Sequence, residues 1–495
     1  MTERYPLYID GKFIECSQKQ NITNPSTGKV IAEVSVASEK EVELALVSAR
    51  SAFDHGPWGK LTLAERKEFI LKIAQGLLEQ AAELAALETQ NTGKPIKEST
   101  FMDIPFAAKS FEFAANNFLE YLNSEELNVC EEARGRLLRE PVGVVVLIVP
   151  WNYPLLIACW KLASALAAGN TVILKPSSLT PLSAFALAKI IQAAGLPAGV
   201  VNIINGPGQK IGQLLCADKR VDMISFTGSN ETGKLILQYS SAHVKKMIME
   251  LGGKSASLVF SDADLDVAVN SALASVFLNQ GQMCTAMSRI FVQDALYERF
   301  IESFAQKAQR IKVGLADDFQ TQMGPLINDA QRQKIIHYIE KAKIEGAKVL
   351  CGGKAPSNAE LKNGSFFEPT ALVRANRHMH IFHEEVFGPV VLIGKFATVD
   401  EAVKLANDSD FGLAACIWSK DLALAQDVSK RLNAGTVWIN TYGMFYNQLP
   451  YGGFKQSGFG KELGKEGFLE YTRIKNVILD QSAEGKPLVH YWYGF

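Results

Sequence analysis

The stretch VGVVVLIVPWNYPLLIACWKLASALAAGNTVILKP, residues 142–176, decides the fold. Its β-branched run at 142–149 has the length and composition of a buried strand. After Pro154 an apolar segment at 155–168 reads as a helix, closed by Gly169 where a helix C-terminus favours glycine. A second short strand follows at 171–174. The same alternation continues outward, with a helix at 182–194 closed by Gly195 and strands at 200–204, 222–226 and 246–250. Strands alternating with helices form βαβ units, and so a parallel sheet covered on both faces. Ligands on such sheets sit beyond the carboxyl ends of the strands. The loops at 150–154, 175–180, 205–208, 227–229 and 250–253 are therefore the candidate site.

The first 120 residues differ, with a polar strand-like start and then helices rich in Ala, Leu and Glu at 63–89. After Lys254 a second α/β region runs to about residue 450. Segments 134–141 and from 471 onward look strand-like but lie outside these units. At 495 residues the chain has room for about three domains. Apolar residues at 47% and charged residues at 21% exclude disorder for most of its length. Lys plus Arg at 51 against Asp plus Glu at 52 argues against nucleic acid or an anionic membrane as partner. The most apolar region is broken by Pro150, Asn152 and Lys161, too short to span a bilayer, and the N-terminus has no apolar signal core. A cytoplasmic protein is expected. The seven cysteines include no CxxC pair, so neither a disulfide framework nor a zinc site is expected.

Three signals have bland readings. Gly206-Pro-Gly208-Gln-Lys-Ile-Gly212 is one residue too long for a GxGxxG turn. Asp262, Asp264 and Asp266 mimic a calcium loop, but Val267 and Leu273 stand where glycine and glutamate are needed, which leaves a helix N-cap. His378, His380, His383 and Glu384 resemble metal ligands without a second cluster, and no metal is expected. Two features resist such readings. Asn152 sits between prolines at the mouth of the sheet, a fixed amide donor. Cys284 follows Asn279-Gln-Gly281-Gln-Met, a polar, glycine-containing setting that suits a nucleophile better than a core thiol.

At these residues the chain resembles the NAD(P)-dependent aldehyde dehydrogenase superfamily, most closely its betaine- and amino-aldehyde dehydrogenases. The resemblance is carried by PWNYP at 150–154, KPS at 175–177, FTGS at 226–229, MELGGK at 249–254, GQMC at 281–284, EEVFGP at 384–389 and FKQSGFGKE at 454–462. It implies an α/β fold: a Rossmann-like doubly wound sheet for the cofactor (1–120 and 142–253), a second α/β catalytic domain (254–452) and a small strand arm for oligomerisation (121–141 and 469–495). It implies Cys284 as nucleophile, Asn152 as oxyanion donor, Glu250 as base toward water, and Lys161 near the oxyanion, where its charge would aid the thiolate. It implies NAD or NADP held by Ile148, Trp151, Lys175, Gly208, Gly212, Ser229, Glu385 and Phe387. Ser178 replaces the glutamate usual in NAD-selective members, which tilts expectation toward NADP.

Tyr153 and Trp160, seven apart, suit one face of a helix and by spacing alone read as a core stripe. The resemblance makes them, with Tyr451, three walls of an aromatic cage for a cationic amine. Leu278 stands at the fourth wall. A small-molecule aldehyde, betaine aldehyde or an amino aldehyde first, aliphatic or aromatic aldehydes next, is the implied substrate, and a homodimer or homotetramer the implied assembly. A catalytically silent binding member is disfavoured because Cys284, Glu250 and Asn152 are all present. A thiol hydrolase is disfavoured by the nucleotide motifs.

Overall fold

The computed structural model describes residues 3–482. Its first large sheet runs in the order Gly458–Phe459, Lys246–Glu250, Met223–Thr227, Val144–Ile148, Thr171–Lys175, Val201–Ile203, Leu7–Ile9, Lys12–Ile14. The five strands from Lys246–Glu250 to Val201–Ile203 are parallel, and antiparallel strands close both edges. Numbered along the chain, the parallel five lie in the order 3-2-1-4-5. That is the doubly wound order, with its switch point between Val144–Ile148 and Met223–Thr227. Every residue of these two strands is buried, as parallel strands sandwiched by helices must be. The helix Pro154–Ala167 covers them with all but Leu156 buried. Proline at its first position suits a helix start, and Gly169 at φ +94° ends it.

The second sheet orders Lys348–Cys351, Thr370–Val373, Val390–Phe396, Arg289–Gln293, Ala256–Val259, Ala414–Trp418 and Thr436–Ile439, parallel except for the first pair. Alternate side chains serve two cores: Leu258, Phe291 and Leu392 face one, and Val259, Ile290 and Ile393 the other.

A third, antiparallel sheet joins Glu125–Cys130, Ala133–Pro141 and Thr472–Asp480. Its register runs from Thr472 opposite Pro141 to Asp480 opposite Ala133. Leu127, Val129, Ile474, Ile478 and Leu479 are exposed on it. The expected arm segment beyond 482 lies outside the described residues.

The helices expected at 63–89 are Leu63–Glu79 and Ala81–Thr92, parted at Gln80. Asp264 caps Leu265–Phe277, accepting from the Val267 N–H. Glycines 208 and 212 bound a helical turn that leads into Gln213–Ala217. Among the described residues no helix is long and apolar enough to cross a membrane.

Candidate active site

The thiol is placed by an unusual turn. After Leu265–Phe277 the chain enters Leu278–Gly281, where Asn279, Gln280 and Gly281 take φ of +47°, +57° and +70°. A Cβ on Gly281 would stand 2.2 Å from the Gly388 carbonyl oxygen, and one on Gly253 would stand 2.3 Å from that of Cys284. Glycine is thus required for the GQMC, MELGGK and EEVFGP segments to close on one another. Cys284 is half-buried, with Sγ 3.2 Å from the Tyr451 hydroxyl. Burial pushes its thiol up to about 12; the Tyr451 hydrogen bond opposes this, and the Glu385 and Glu250 carboxyls add to it. Tyr451, buried and itself held well above its ordinary range, keeps its proton and is the donor to a thiolate. The Asn152 amide donates one N–H to the Gln282 carbonyl at 2.8 Å, and its backbone carbonyl accepts from Asn279 Nδ2 at 3.0 Å. An amide NH2 carries two donors, and among the described residues only one of them is taken.

Glu250 ends the Lys246–Glu250 strand, 2% exposed. Neither carboxyl oxygen has a hydrogen-bond partner among the described residues. Burial holds this carboxyl well above the usual range; Glu462 adds to that, while Lys161 and Lys461 oppose it. Lys161 is fully buried, its ammonium donating to Glu462 Oε1 at 2.5 Å and Ser225 Oγ at 2.7 Å. Ser225 also donates to Glu462, as does the Tyr471 hydroxyl. The helix face that carries Lys161 points at the Met223–Thr227 strand, so its charge acts on Glu250, while the carboxyls acting on the thiol are those of Glu385 and Glu250. Glu462 closes the 454–462 motif, but its partner stands 301 residues away.

The nucleotide side gathers at the switch point. Ile148 ends its strand, and Trp151 meets Phe387 edge-on, centroids 5.1 Å apart. Phe387 holds φ +58° with its carbonyl fixed by Gln331 Nε2 at 2.8 Å. Glu385 Oε1 accepts from the Gly253 N–H at 2.9 Å, and burial lifts its carboxyl to about 7. Lys175 ends Thr171–Lys175, 4% exposed, and burial lowers its ammonium to about 8. Ser178 lies half-buried in the following loop, its carbonyl bound by Gln20. Ser229 caps Asn230–Ser240 at an exposed N-terminus. A Cβ on Gly208 or Gly212 would meet nothing within 4 Å, and the buried Thr227 hydroxyl has no partner among the described residues. An open glycine cradle, a free helix N-terminus and an unpartnered hydroxyl fit the phosphates of a dinucleotide.

The rings only partly follow expectation. Trp160 lies 5.9 Å from Tyr451, and Phe445 meets Tyr451 edge-on at 5.4 Å. Phe445 carries no sequence signal of its own; it stands two residues after Gly443 in a loop without periodicity. Tyr153 is not on the helix with Trp160. It precedes Pro154 with φ −136° and ψ 61°, and the Lys94 ammonium stands 3.8 Å from its ring centroid. Leu278 lines a groove of about 570 Å³ with Asn270, Leu273, Phe277 and Arg310, whose lining includes none of the rings. His380 pairs with Glu345, and His383 with the Arg377 carbonyl.

Comparison with known proteins agrees with this geometry. The aldehyde dehydrogenase family matches residues 13–477. A betaine aldehyde dehydrogenase from Bacillus subtilis is 44% identical over 98% of this chain and 99% of its own length. The crystal structure of betaine aldehyde dehydrogenase from Staphylococcus aureus with NAD+ superposes with a TM-score of 0.95 at 40% identity, over 98% of this chain and 96% of that one. An NAD+ complex of an aldehyde dehydrogenase from Bacillus cereus gives 0.94 at 38%, over 97% of each. With the match running through nearly every element and the quoted motifs converging on one thiol, the chain belongs to the aldehyde dehydrogenase family.

Proposed function

We propose that this aldehyde dehydrogenase oxidises a cationic aldehyde to its carboxylic acid, with betaine aldehyde the leading substrate and an amino aldehyde next. The observation that carries this is Tyr451, whose ring packs on Trp160 and Phe445 while its hydroxyl reaches Cys284. A quaternary ammonium cannot donate a hydrogen bond, so ring faces must recognise it, and here they adjoin the thiol. The relatives named above as betaine aldehyde dehydrogenases support the same reading.

The Cys284 thiolate attacks the aldehyde carbon, giving a thiohemiacetal whose oxyanion is met by the Asn152 amide and the Cys284 N–H. NAD or NADP, held by Trp151, Lys175, Ser229, Glu385 and Phe387, supplies the hydride acceptor when bound. Loss of hydride from the adduct carbon leaves a thioester on Cys284. The ionised Glu250 carboxylate takes a proton from water, which opens the thioester and frees the thiol. Burial raises the Glu250 carboxyl, so its ionisation moves to higher pH and hydrolysis should quicken as pH rises. Ser178 presents a hydroxyl that does not repel a 2′-phosphate, so both cofactors are admitted. Residues 1–120 and 142–253 are assigned to cofactor binding, 254–452 to catalysis, and 121–141 with 469–495 to subunit pairing in a cytoplasmic homodimer or homotetramer. The exposed apolar edge of Thr472–Asp480 supports that pairing.

The test compares betaine aldehyde with its uncharged isostere, 3,3-dimethylbutanal, in Trp160→Ala. The ratio of kcat/KM for the cation to that for the isostere should fall several-fold, with kcat/KM for betaine aldehyde down about tenfold, or about 1.4 kcal/mol. Equal losses for both would reassign the enzyme to general aliphatic or aromatic aldehydes.

A further inference from the structure

Asn279 and Gln280 are two successive non-glycine residues in the left-handed region, both 1% exposed. Such backbone persists only where its surroundings over-determine it. Glu98 belongs to the short helical segment Ile96–Glu98, 181 residues earlier in the chain. It is 5% exposed, and its Oε2 accepts the Asn279 N–H at 3.0 Å. From that anchored residue the Asn279 side chain reaches the Asn152 carbonyl, and the Gln282 carbonyl holds the Asn152 amide. Gln282 in turn donates to the Asn279 carbonyl and accepts from the Ile327 N–H. One carboxylate thus secures the start of a hydrogen-bonded ring that fixes Asn152 and ends two residues before Cys284.

We infer that Glu98 is a positioning residue for the nucleophile: by accepting the Asn279 N–H it holds the left-handed turn that sets Asn152 and Cys284 in register. This rests on the reading of Cys284 as nucleophile and Asn152 as oxyanion donor. The demand is for an acceptor at a fixed reach rather than for a charge. The neighbouring Lys94 is already paired with Asp103, and the second Glu98 oxygen is buried with no hydrogen-bond partner among the described residues.

Acidity and reach are separated by Glu98→Gln and Glu98→Asp, both conservative enough to fold. Asp keeps the carboxyl group and loses one methylene of reach, so its first-turnover rate and kcat should fall about ten- to a hundredfold, with the KM for NAD within about twofold of the parent. Alkylation of Cys284 by iodoacetamide should slow or quicken in the same variant. Gln keeps an oxygen at the same reach and should retain most of the first-turnover rate. If Glu98→Asp turns over like the parent, or Glu98→Gln is as impaired as Glu98→Asp, the inference is overturned. Asn152→Ala and Cys284→Ala run alongside. Full activity in those two would instead withdraw the proposed mechanism, whatever Glu98 does.

Discussion

Lys161 and Lys94 are both fully buried beside the active site, yet they are compensated in opposite ways. Lys161 is ion-paired with Glu462, whose oxygens also accept from Ser225 and Tyr471, and its charge also acts on Glu250. That cluster is balanced and satisfied. Lys94 faces three carboxyls, Asp103, Glu98 and Glu88, and each retains one buried oxygen with no hydrogen-bond partner among the described residues. Burial lifts Glu98 to about 8 and Glu88 to about 7, Lys94 opposing in each case. The first cluster is hydrogen-bonded throughout and acts on Glu250, the proposed base. The second holds excess acid, which burial favours in its protonated form, beside the turn that leads to Cys284. A buried charge is tolerable when paired or when neutralised by a proton, and the two sides of this site use the two solutions.

The largest effects test whether both clusters serve the same chemistry. Cys284→Ala should lower turnover at least a thousandfold while NAD binding persists, read by reduced-cofactor absorbance and by titration. Appreciable residual turnover would leave both clusters without a thiol to serve. Glu250→Gln should slow steady turnover by roughly 10²–10⁴ but spare the first hydride transfer, so a burst of reduced cofactor should appear. Loss of the burst would place Glu250 before the thioester and tie the balanced cluster to thiol ionisation instead.

Next comes the balanced cluster itself. Glu462→Gln leaves the Lys161 ammonium buried without its counter-charge. Breaking a buried pair in this way costs about 3–5 kcal/mol, and thermal unfolding of the folded enzyme should show a clear drop in Tm. An unchanged Tm would mean that Ser225 and the remaining amide oxygen suffice, and the contrast between the two lysines would fail.

The parallel strands and the switch-point loops were legible, because βαβ periodicity is local; Asn152 and Glu250 stand at strand ends, whereas Cys284 follows a helix and was marked only by its motif. What escaped was set by tertiary contact. Lys161 reads as one charge on an apolar helix, and nothing local says that Glu462 will neutralise it. Tyr153 and Trp160 have helical spacing, but Pro154 starts the helix after Tyr153, and the Lys94 ammonium takes a face of that ring. Glu98 lies in a helical segment whose periodicity marks it only as polar. Its task depends on a left-handed turn that the sequence signals only through Gly281.

The slope of stability with pH is the most discriminating effect. In the folded protein Glu98 binds its proton up to about pH 8, whereas an unfolded glutamate releases it near 4.3. Between those values the folded state holds the extra proton, so the parent loses stability as pH rises, by at most about 1.4 kcal/mol per pH unit for this group. Glu98→Gln cannot titrate and keeps Asp103 opposite Lys94, so that slope disappears. Near pH 4 the variant and the parent should match. The variant should then become progressively the more stable of the two up to about pH 8, where the difference levels off. Paired Tm curves against pH measure this directly. The same substitution at Glu462 should destabilise, so opposite signs at equal burial would establish that the two clusters differ in charge balance. A parallel pair of curves for Glu98→Gln and the parent would show that Glu98 is ionised throughout and that the excess-acid description is wrong.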